Sequence, residues 1–217
     1  MNVEQARFNM IEQQIRPWDV VDAGVLSLLA MVRREDFVPL AHRALAFVDM
    51  EIPLGHGQCM LAPRVEARLL QDAALTGGEN VLEIGAGSGF MAALLAHRAQ
   101  RVISLEIIPE LAQMARTNLQ QSGIYNVEVR ECDGSEGAPA ESPFDVIVLS
   151  GSVAQIPKNL LQHLKVGGRL ITVVGGEPVM RATVVTRTGE ASFTTEQRWD
   201  TVVQRLVSFP EPSHFQF

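Results

Sequence analysis

Cysteine, long apolar runs and lysine are all scarce in this sequence. The two cysteines, Cys59 and Cys132, are too few for a disulfide framework, which predicts a reducing, cytoplasmic environment. The longest apolar stretches, such as residues 25–32, are well short of the roughly 20 residues that a membrane-spanning helix needs. The first residues also lack the basic and then apolar pattern of a signal peptide. We therefore expect neither a secreted protein nor a membrane partner.

Basic residues are few and scattered. Acidic residues outnumber them by 25 to 18, which gives a formal net charge of −7, and Lys158 and Lys165 are the only lysines. Proteins that hold a nucleic-acid backbone cluster their positive charge, so nucleic acid is not an expected partner. With 47% apolar and 20% charged residues, the chain of 217 residues has the composition of a folded domain with a sizeable core rather than of a disordered protein.

The hydrophobic pattern changes its period along the chain. Helical spacing predicts helices over residues 3–16, 21–34 and 65–75, and Pro and Gly residues predict an ordered loop over 52–63. After Gly78, apolar strands (80–84, 101–105, 126–131, 144–149 and 168–174) alternate with helices (89–99, 109–122 and 156–164). That alternation indicates a parallel sheet covered on both faces. The tail predicts antiparallel strands over 181–187, 192–199 and 201–209.

A glycine-rich turn follows the first of these strands. Residues 85–89 read Gly-Ala-Gly-Ser-Gly, and such glycines allow a sharp strand-to-helix turn and the close approach of a ligand. A dinucleotide site needs a small residue at the sixth position from the first glycine, but Phe90 stands there. Glu83, two residues before the turn, would repel a pyrophosphate and attract a cation. The pattern therefore favours a cationic ligand without phosphates.

Two further acidic residues follow the next strands. Glu106 ends the second strand, where its carboxylate would accept hydrogen bonds from ribose hydroxyls. Asp133, with Gly134 after it, follows the third strand, where it would accept from an adenine amino group. The combination resembles the class I S-adenosylmethionine-dependent methyltransferases over residues 78–175. The resemblance implies S-adenosyl-L-methionine as the cofactor, with these binding residues: Glu83, Gly85, Ala86, Gly87, Ser88, Gly89, Glu106, Asp133 and Gly134.

The resemblance also fixes the expected architecture. It implies an α/β, Rossmann-like fold with a mostly parallel seven-stranded sheet, an N-terminal helical cap and antiparallel C-terminal strands. We expect a single domain over residues 1–217. Its parts are a helical cap with a substrate-cleft loop (1–77), a cofactor-binding core (78–175) and a C-terminal antiparallel part (176–217).

The loop after the fourth strand narrows the range of possible methyl acceptors. Residues 149–152 read Leu-Ser-Gly-Ser, whereas enzymes that methylate nucleic-acid amino groups carry an Asn/Asp-Pro-Pro-aromatic motif there. Residues 149–157 contain no acidic residue, so no metal is expected.

Several further segments resemble the protein-L-isoaspartate O-methyltransferases. They are residues 31–40 (MVRREDFVPL), 49–58 (DMEIPLGHGQ) with Ala62-Pro63, 133–137 (DGSEG), 143–145 (PFD), 156–157 (IP) and 164–170 (LKVGGRL). The likeness extends over residues 7–175. It implies methylation of the α-carboxyl group of isoaspartyl residues, the first step in repair of aged proteins. It also implies that loop 55–63 folds over the cofactor and lines the substrate cleft.

The cleft loop departs from the family pattern. Leu61 stands at the position of the family's active-site serine, Cys59 replaces the usual threonine, and Glu66 stands where histidine is frequent. The expected substrate-contacting residues are Gln58, Cys59, Met60, Leu61 and Ser150. With the serine absent no catalytic residue is assigned, and His56 is the candidate general base for a neutral acceptor. Three hypotheses stay open: a protein carboxyl acceptor, a small-molecule hydroxyl acceptor, and a cofactor-binding module without turnover. The oligomeric state stays undetermined.

Overall fold

A computed structural model describes residues 2–211 of the chain. Seven strands form one sheet, and a separate hairpin pairs β1 (Ile52–Gly55) with β2 (Gln58–Met60). The order of the strands in the large sheet is β5 (Val127–Glu131), β4 (Arg101–Glu106), β3 (Asn80–Ile84), β6 (Phe144–Val153), β7 (Leu164–Gly176), β8 (Val179–Arg187) and β9 (Phe193–Thr201). Within the large sheet, the neighbours from β5 to β7 pair in parallel, and β8 and β9 add antiparallel strands at one edge. The predicted mostly parallel, seven-stranded α/β sheet is confirmed.

Three helices form an N-terminal cap, in which α3 packs on the sheet and α2 packs on α3: α1 (Val3–Met10), α2 (Ala23–Met31) and α3 (Pro63–Ala73). The helix that begins as α1 continues as a π-helical turn to Ile15, and Asp22 caps α2 by accepting from the Val25 backbone N–H at 2.8 Å. Asp22 therefore starts the second helix two residues later than predicted, and the helix ends three residues earlier, at Met31.

The segment predicted as a loop over 52–63 contains a β-hairpin. Strands β1 (Ile52–Gly55) and β2 (Gln58–Met60) pair antiparallel around a turn in which His56 and Gly57 have positive φ values of 53° and 70°. The loop prediction was wrong here because the strands are only four and three residues long and carry Pro53 and Gly55, which are typical of turns. The hairpin places residues 55–61 above the carboxyl ends of the central strands.

The core elements follow the predicted alternation. They are β3 (Asn80–Ile84), α4 (Phe90–Ala96), β4 (Arg101–Glu106), α5 (Pro109–Gln121), β5 (Val127–Glu131), β6 (Phe144–Val153), α6 (Lys158–Leu161) and β7 (Leu164–Gly176). Successive residues of the central strands face opposite sides of the sheet. Val81, Val102 and Val146 lie in the core that the sheet shares with the cap, α4 and α5, whereas Leu82 and Ile103 pack on the other face. Both faces of the sheet are therefore buried.

The tail contains two antiparallel strands, β8 (Val179–Arg187) and β9 (Phe193–Thr201). The predicted third strand over 201–209 was wrong. The chain instead crosses the end of the sheet, where the Ser152 N–H donates to the Gln204 carbonyl at 2.8 Å and the Ser152 carbonyl accepts from the Leu206 N–H at 2.9 Å. Its apolar side chains face a cavity at the sheet end instead of a neighbouring strand.

Within the described part of the chain, every helix is too short or too polar to span a membrane.

Candidate active site

The carboxyl ends of β3, β4 and β6 meet beneath the hairpin β1–β2. The turn after β3 carries Gly85, Gly87 and Gly89 with φ values of 93°, 53° and 88°, a left-handed conformation that favours glycine. The Gly85 and Ala86 N–H groups donate to the Leu105 carbonyl at 2.8 and 3.2 Å, which holds the turn against β4. The predicted glycine-rich turn is therefore the floor of a cleft at the switch point of the sheet.

Glu106 is fixed at the end of β4 by backbone donors. One carboxylate oxygen accepts from the Gly87 N–H at 2.8 Å and the other from the Ile108 N–H at 3.1 Å. The residue is 5% exposed and lines the cavity next to the glycine turn. Each carboxylate oxygen has a second lone pair, so the carboxylate retains two acceptor positions for neighbouring hydroxyl groups.

Glu83 lies fully buried at the end of β3. Its carboxyl group accepts from the Ser104 hydroxyl at 2.5 Å and from the Ser150 hydroxyl at 2.9 Å. Burial raises the pKa of Glu83 to about 7, against the opposing effect of the two hydroxyl donors, and the nearby Glu106 and Glu66 carboxylates raise it further. Glu83 is therefore a buried group that titrates near neutral pH, and its hydrogen bond with the Ser150 hydroxyl orients that side chain in the cleft.

Backbone and apolar side chains line the cavity beside Glu106, which is called the nucleoside cavity below. Its inner wall includes Gly85, Gly87 and Gly134, which present backbone where side chains would intrude. A Cβ atom on Gly85 would lie 2.9 Å from Leu206 Cδ2, and one on Gly134 would lie 2.4 Å from Ile84 Cγ2. Apolar side chains of Ile84, Leu105, Ile107 and Leu111 complete the wall beside the Glu106 carboxylate. Apolar walls with one fixed carboxylate suit an adenosine group.

The other predicted cofactor-binding residues lie outside the lining of the cavity beside Glu106. Ala86 and Ser88 line a second, inner cavity, whereas Gly89 packs against Ala115 of α5. The Asp133 carboxylate accepts from the Ser135 N–H at 2.9 Å and caps a short 3₁₀ turn. That bond lowers the pKa of Asp133, so its carboxylate is ionised and faces solvent beside Gly134.

The hairpin and the residues after it bring the predicted substrate residues together. Cys59, Met60 and Leu61 line the inner cavity with Gly85 and Ser150, and Leu61 is 4% exposed. Burial, followed by the nearby Glu51 carboxylate, raises the pKa of the Cys59 thiol to about 12. Cys59 is therefore a neutral thiol in the wall of the cavity at physiological pH.

An open groove of about 740 Å³ leads to the same hairpin from the tail side. Gln58 and Cys59 line both this groove and the nucleoside cavity. The remaining walls come from Glu51, Pro53 and the segments at Glu177–Met180 and Val202–Arg205. A bulky acceptor in the groove would therefore meet the cofactor at the hairpin.

His56 and Glu66 lie at different places relative to the cavities. His56 lies on the hairpin turn, 3.9 Å from Glu110, with its side chain 44% exposed, and among residues 2–211 it lines neither the groove nor the two cavities. Glu66 lines the inner cavity but pairs with Arg34, which is also buried. Burial raises the pKa of Glu66 to about 7, and the adjacent Arg34 guanidinium opposes this rise and favours the ionised form.

Sequence reasoning missed the outer wall of the nucleoside cavity. Leu206, Val207 and Phe209 form it, and the Gln204 side chain donates to the Gly57 carbonyl of the hairpin. The role was missed because the sequence pattern predicts a strand over this segment. Gly151 makes room for the segment, since a Cβ atom at this position would lie 2.8 Å from Leu206 Cδ2.

Comparisons with known proteins decide the family. The family model described as Protein-L-isoaspartate(D-aspartate) O-methyltransferase (PCMT) matches residues 5–208. This chain belongs to that family. A protein-L-isoaspartate O-methyltransferase of Gloeobacter violaceus is 42% identical over 180 residues, 82% of this chain and 88% of the relative. One from Myxococcus xanthus is 46% identical over 156 residues, 72% of this chain and 74% of the relative.

Solved structures agree with the fold of this family. A putative protein-L-isoaspartate O-methyltransferase of Plasmodium falciparum, crystallised in complex with S-adenosyl-L-homocysteine, has a TM-score of 0.77 and 18% identity and covers 94% of this chain and 97% of its own. The predicted class I methyltransferase fold and the resemblance to the isoaspartyl enzymes are confirmed. The chain is an S-adenosylmethionine-dependent O-methyltransferase, because its family is, and the two alternative hypotheses are not favoured.

Proposed function

We propose that this methyltransferase esterifies the α-carboxyl group of isoaspartyl residues in proteins and so starts their repair. The main support is the sequence identity of about 40% with relatives named for that activity, over most of this chain and of each relative. A groove of about 740 Å³ that opens to solvent and reaches the hairpin supports a peptide as acceptor. The free thiols Cys59 and Cys132 support a reducing compartment such as the cytoplasm.

Contacts in the cleft support the following roles for its residues. Glu106 and the Gly85–Gly89 turn bind the nucleoside, with Gly134 behind them, and Ser150, held from behind by the buried Glu83 carboxyl group, faces the charged end of the cofactor. When bound, S-adenosylmethionine supplies an electrophilic methyl group on a sulfonium centre. Gln58, Cys59, Met60 and Leu61 surround the acceptor and exclude water. Asp133 contributes the acceptor for an adenine amino group.

The acceptor needs no general base in this scheme. A carboxyl group with a pKa near 4 is already ionised at neutral pH. The chain then contributes by holding the carboxylate oxygen in line with the methyl group, an effect worth up to about 7–11 kcal/mol. Leu61 withholds a hydroxyl donor from that carboxylate but leaves positioning intact. The exposed position of His56 is consistent with a reaction that uses no base.

Paired peptides test the acceptor. The protein is incubated with S-adenosylmethionine labelled in its methyl group and with two peptides that differ only in an isoaspartyl or a normal aspartyl linkage. We expect a base-labile label on the isoaspartyl peptide and at most background on the other, because only the former presents a free α-carboxyl group at that residue. Equal labelling of both peptides, or of neither, contradicts the proposal.

Cofactor affinity is expected to depend on pH through Glu83. Because its pKa is about 7, the free protein holds a proton there below that pH, and a bound cation favours the ionised form. Binding then releases the proton, so affinity rises with pH. Between pH 6 and pH 8 we expect the Kd for S-adenosylmethionine to fall about tenfold. Calorimetry at both pH values measures it. The matched variant Glu83→Gln should flatten this dependence, and an unchanged pH profile in that variant assigns the proton elsewhere.

A further inference from the structure

A single buried arginine connects the cap, the cleft segment and helix α3. Arg34 is 1% exposed. Its Nη2 donates to the Leu61 carbonyl at 2.6 Å, its Nε to the Ala46 carbonyl at 3.1 Å, and its Nη1 to the Glu66 carboxylate. All three guanidinium nitrogens are thereby engaged. Arg34 fixes the backbone of Leu61, which forms part of the inner cavity wall.

The same guanidinium also contacts the cofactor-binding helix. Arg34 lies over the Phe90 ring with its Cζ 5.0 Å from the ring centroid, and Phe37 meets that ring edge-on at 5.5 Å. Phe90 is the first residue of α4, directly after the glycine turn. A cation over an aromatic face is attracted more strongly when both are shielded from water. Arg34 therefore sets the position of Leu61 relative to the helix that begins at the cofactor turn.

The charge of Glu66 must be compensated if an acceptor carboxylate is to approach the inner cavity. It lines the inner cavity at 3% exposure, close to the space that an acceptor carboxylate must enter. An unpaired buried carboxylate would disfavour a second one nearby. The Arg34 guanidinium supplies the opposite charge at hydrogen-bond distance.

We propose that Arg34 is a positioning residue for the methyl acceptor, acting through the Leu61 backbone and the Glu66 charge. The proposal rests on the proposed carboxylate acceptor. Arg34 itself lies behind the cavity wall, so it acts on the site through these two residues rather than by touching the reacting atoms.

The variant Arg34→Lys tests this role. Lysine keeps the charge beside Glu66 but loses the planar fork that reaches three acceptors at once. We expect the KM for an isoaspartyl peptide to rise about five- to tenfold, kcat to change less than threefold, and the Kd for S-adenosylhomocysteine to change less than threefold.

A matched control exists in the cap. Arg7 is also buried, pairs with Glu35 at 2.5 Å and lies over the Phe47 ring at 5.9 Å, but within residues 2–211 it lines none of the cavities or the groove of the site. Arg7→Lys should lower the melting temperature comparably and leave the acceptor KM within twofold of wild type. An equal rise in KM for both variants, or no rise for Arg34→Lys, overturns the proposal.

Thiol labelling gives a readout that needs no methyl transfer. Cys59 lies two residues before Leu61 and is partly buried, whereas Cys132 is exposed and lies after β5. With iodoacetamide and peptide mass spectrometry, we expect Arg34→Lys to accelerate Cys59 alkylation about fivefold and to leave Cys132 unchanged. Unchanged Cys59 labelling contradicts the positioning role. If wild type fails to methylate the isoaspartyl peptide while Cys59 labelling responds as expected, the acceptor is wrong but the positioning of the segment stands.

A second variant covers the case in which Arg34→Lys does not fold. Glu66→Gln keeps an acceptor for Arg34 and leaves a net positive charge beside the cavity. The KM for the isoaspartyl carboxylate should then equal or fall below the wild-type value. A rise of more than threefold in a folded Glu66→Gln protein contradicts the role assigned to the pair.

Discussion

Replacing Glu106 by glutamine is expected to raise the Kd for S-adenosylhomocysteine about 100-fold. The carboxylate accepts from two backbone N–H groups and retains lone pairs for the ribose hydroxyls. A glutamine of the same shape has one oxygen, so its amide N–H₂ must face either Gly87 N–H or Ile108 N–H, which are both donors. A hydrogen bond to a charged group contributes about 1.5–3 kcal/mol, and each 1.4 kcal/mol changes Kd tenfold.

Glu131 provides the matched control for this variant. It is the neighbour of Glu106 in the sheet register but is exposed at the end of β5. Glu131→Gln removes the same charge from the next strand and should change the Kd less than twofold. Calorimetry on both variants makes the comparison. Similar affinities for Glu106→Gln and wild type would refute the assignment of Glu106 to the ribose.

Replacing Leu61 by serine is expected to raise kcat/KM for an isoaspartyl peptide about 10- to 100-fold. Leu61 is 4% exposed in the inner cavity, where a serine hydroxyl would donate to the acceptor carboxylate. One such bond to a charged group is worth about 1.5–3 kcal/mol. The lost leucine packing should cost about 2–4 kcal/mol of stability, so a lower melting temperature accompanies the gain.

Leu61→Ala separates the hydroxyl from the space that it occupies. Alanine opens the same volume without a donor, so its kcat/KM should not exceed that of wild type. Steady-state kinetics on the three proteins at one temperature, below the melting transition of each, give the comparison. An equal gain for alanine and serine would mean that Leu61 limits the reaction by bulk alone.

The parallel core was predictable from the sequence because its strands are near-continuous apolar runs. Residues 80–84 form β3 with the predicted bounds, and Glu83 and Glu106 lie at adjacent strand ends, as the topology requires. The hairpin β1–β2 was not predictable, because its few pairing residues include Pro53 and Gly55, which resemble a loop.

Contacts between residues that are far apart in the sequence were also not predictable. Arg34 and Glu66 are 32 positions apart, and no local pattern indicates that a cap arginine meets a carboxylate of α3. The segment 202–209 carries apolar residues at spacing that favours a strand, yet Leu206 and Phe209 face the nucleoside cavity. In both cases the contact depends on the closed tertiary fold rather than on periodicity.

Loss of isoaspartyl linkages tests the proposed repair function most directly. An isoaspartyl peptide is incubated for many turnovers with the protein and S-adenosylmethionine, and the isoaspartyl and aspartyl isomers are separated by chromatography. We expect the isoaspartyl isomer to decline and the normal isomer to accumulate, with Glu106→Gln slower at subsaturating cofactor. An isoaspartyl fraction that stays constant, while the cofactor is consumed on another acceptor, would contradict the repair function.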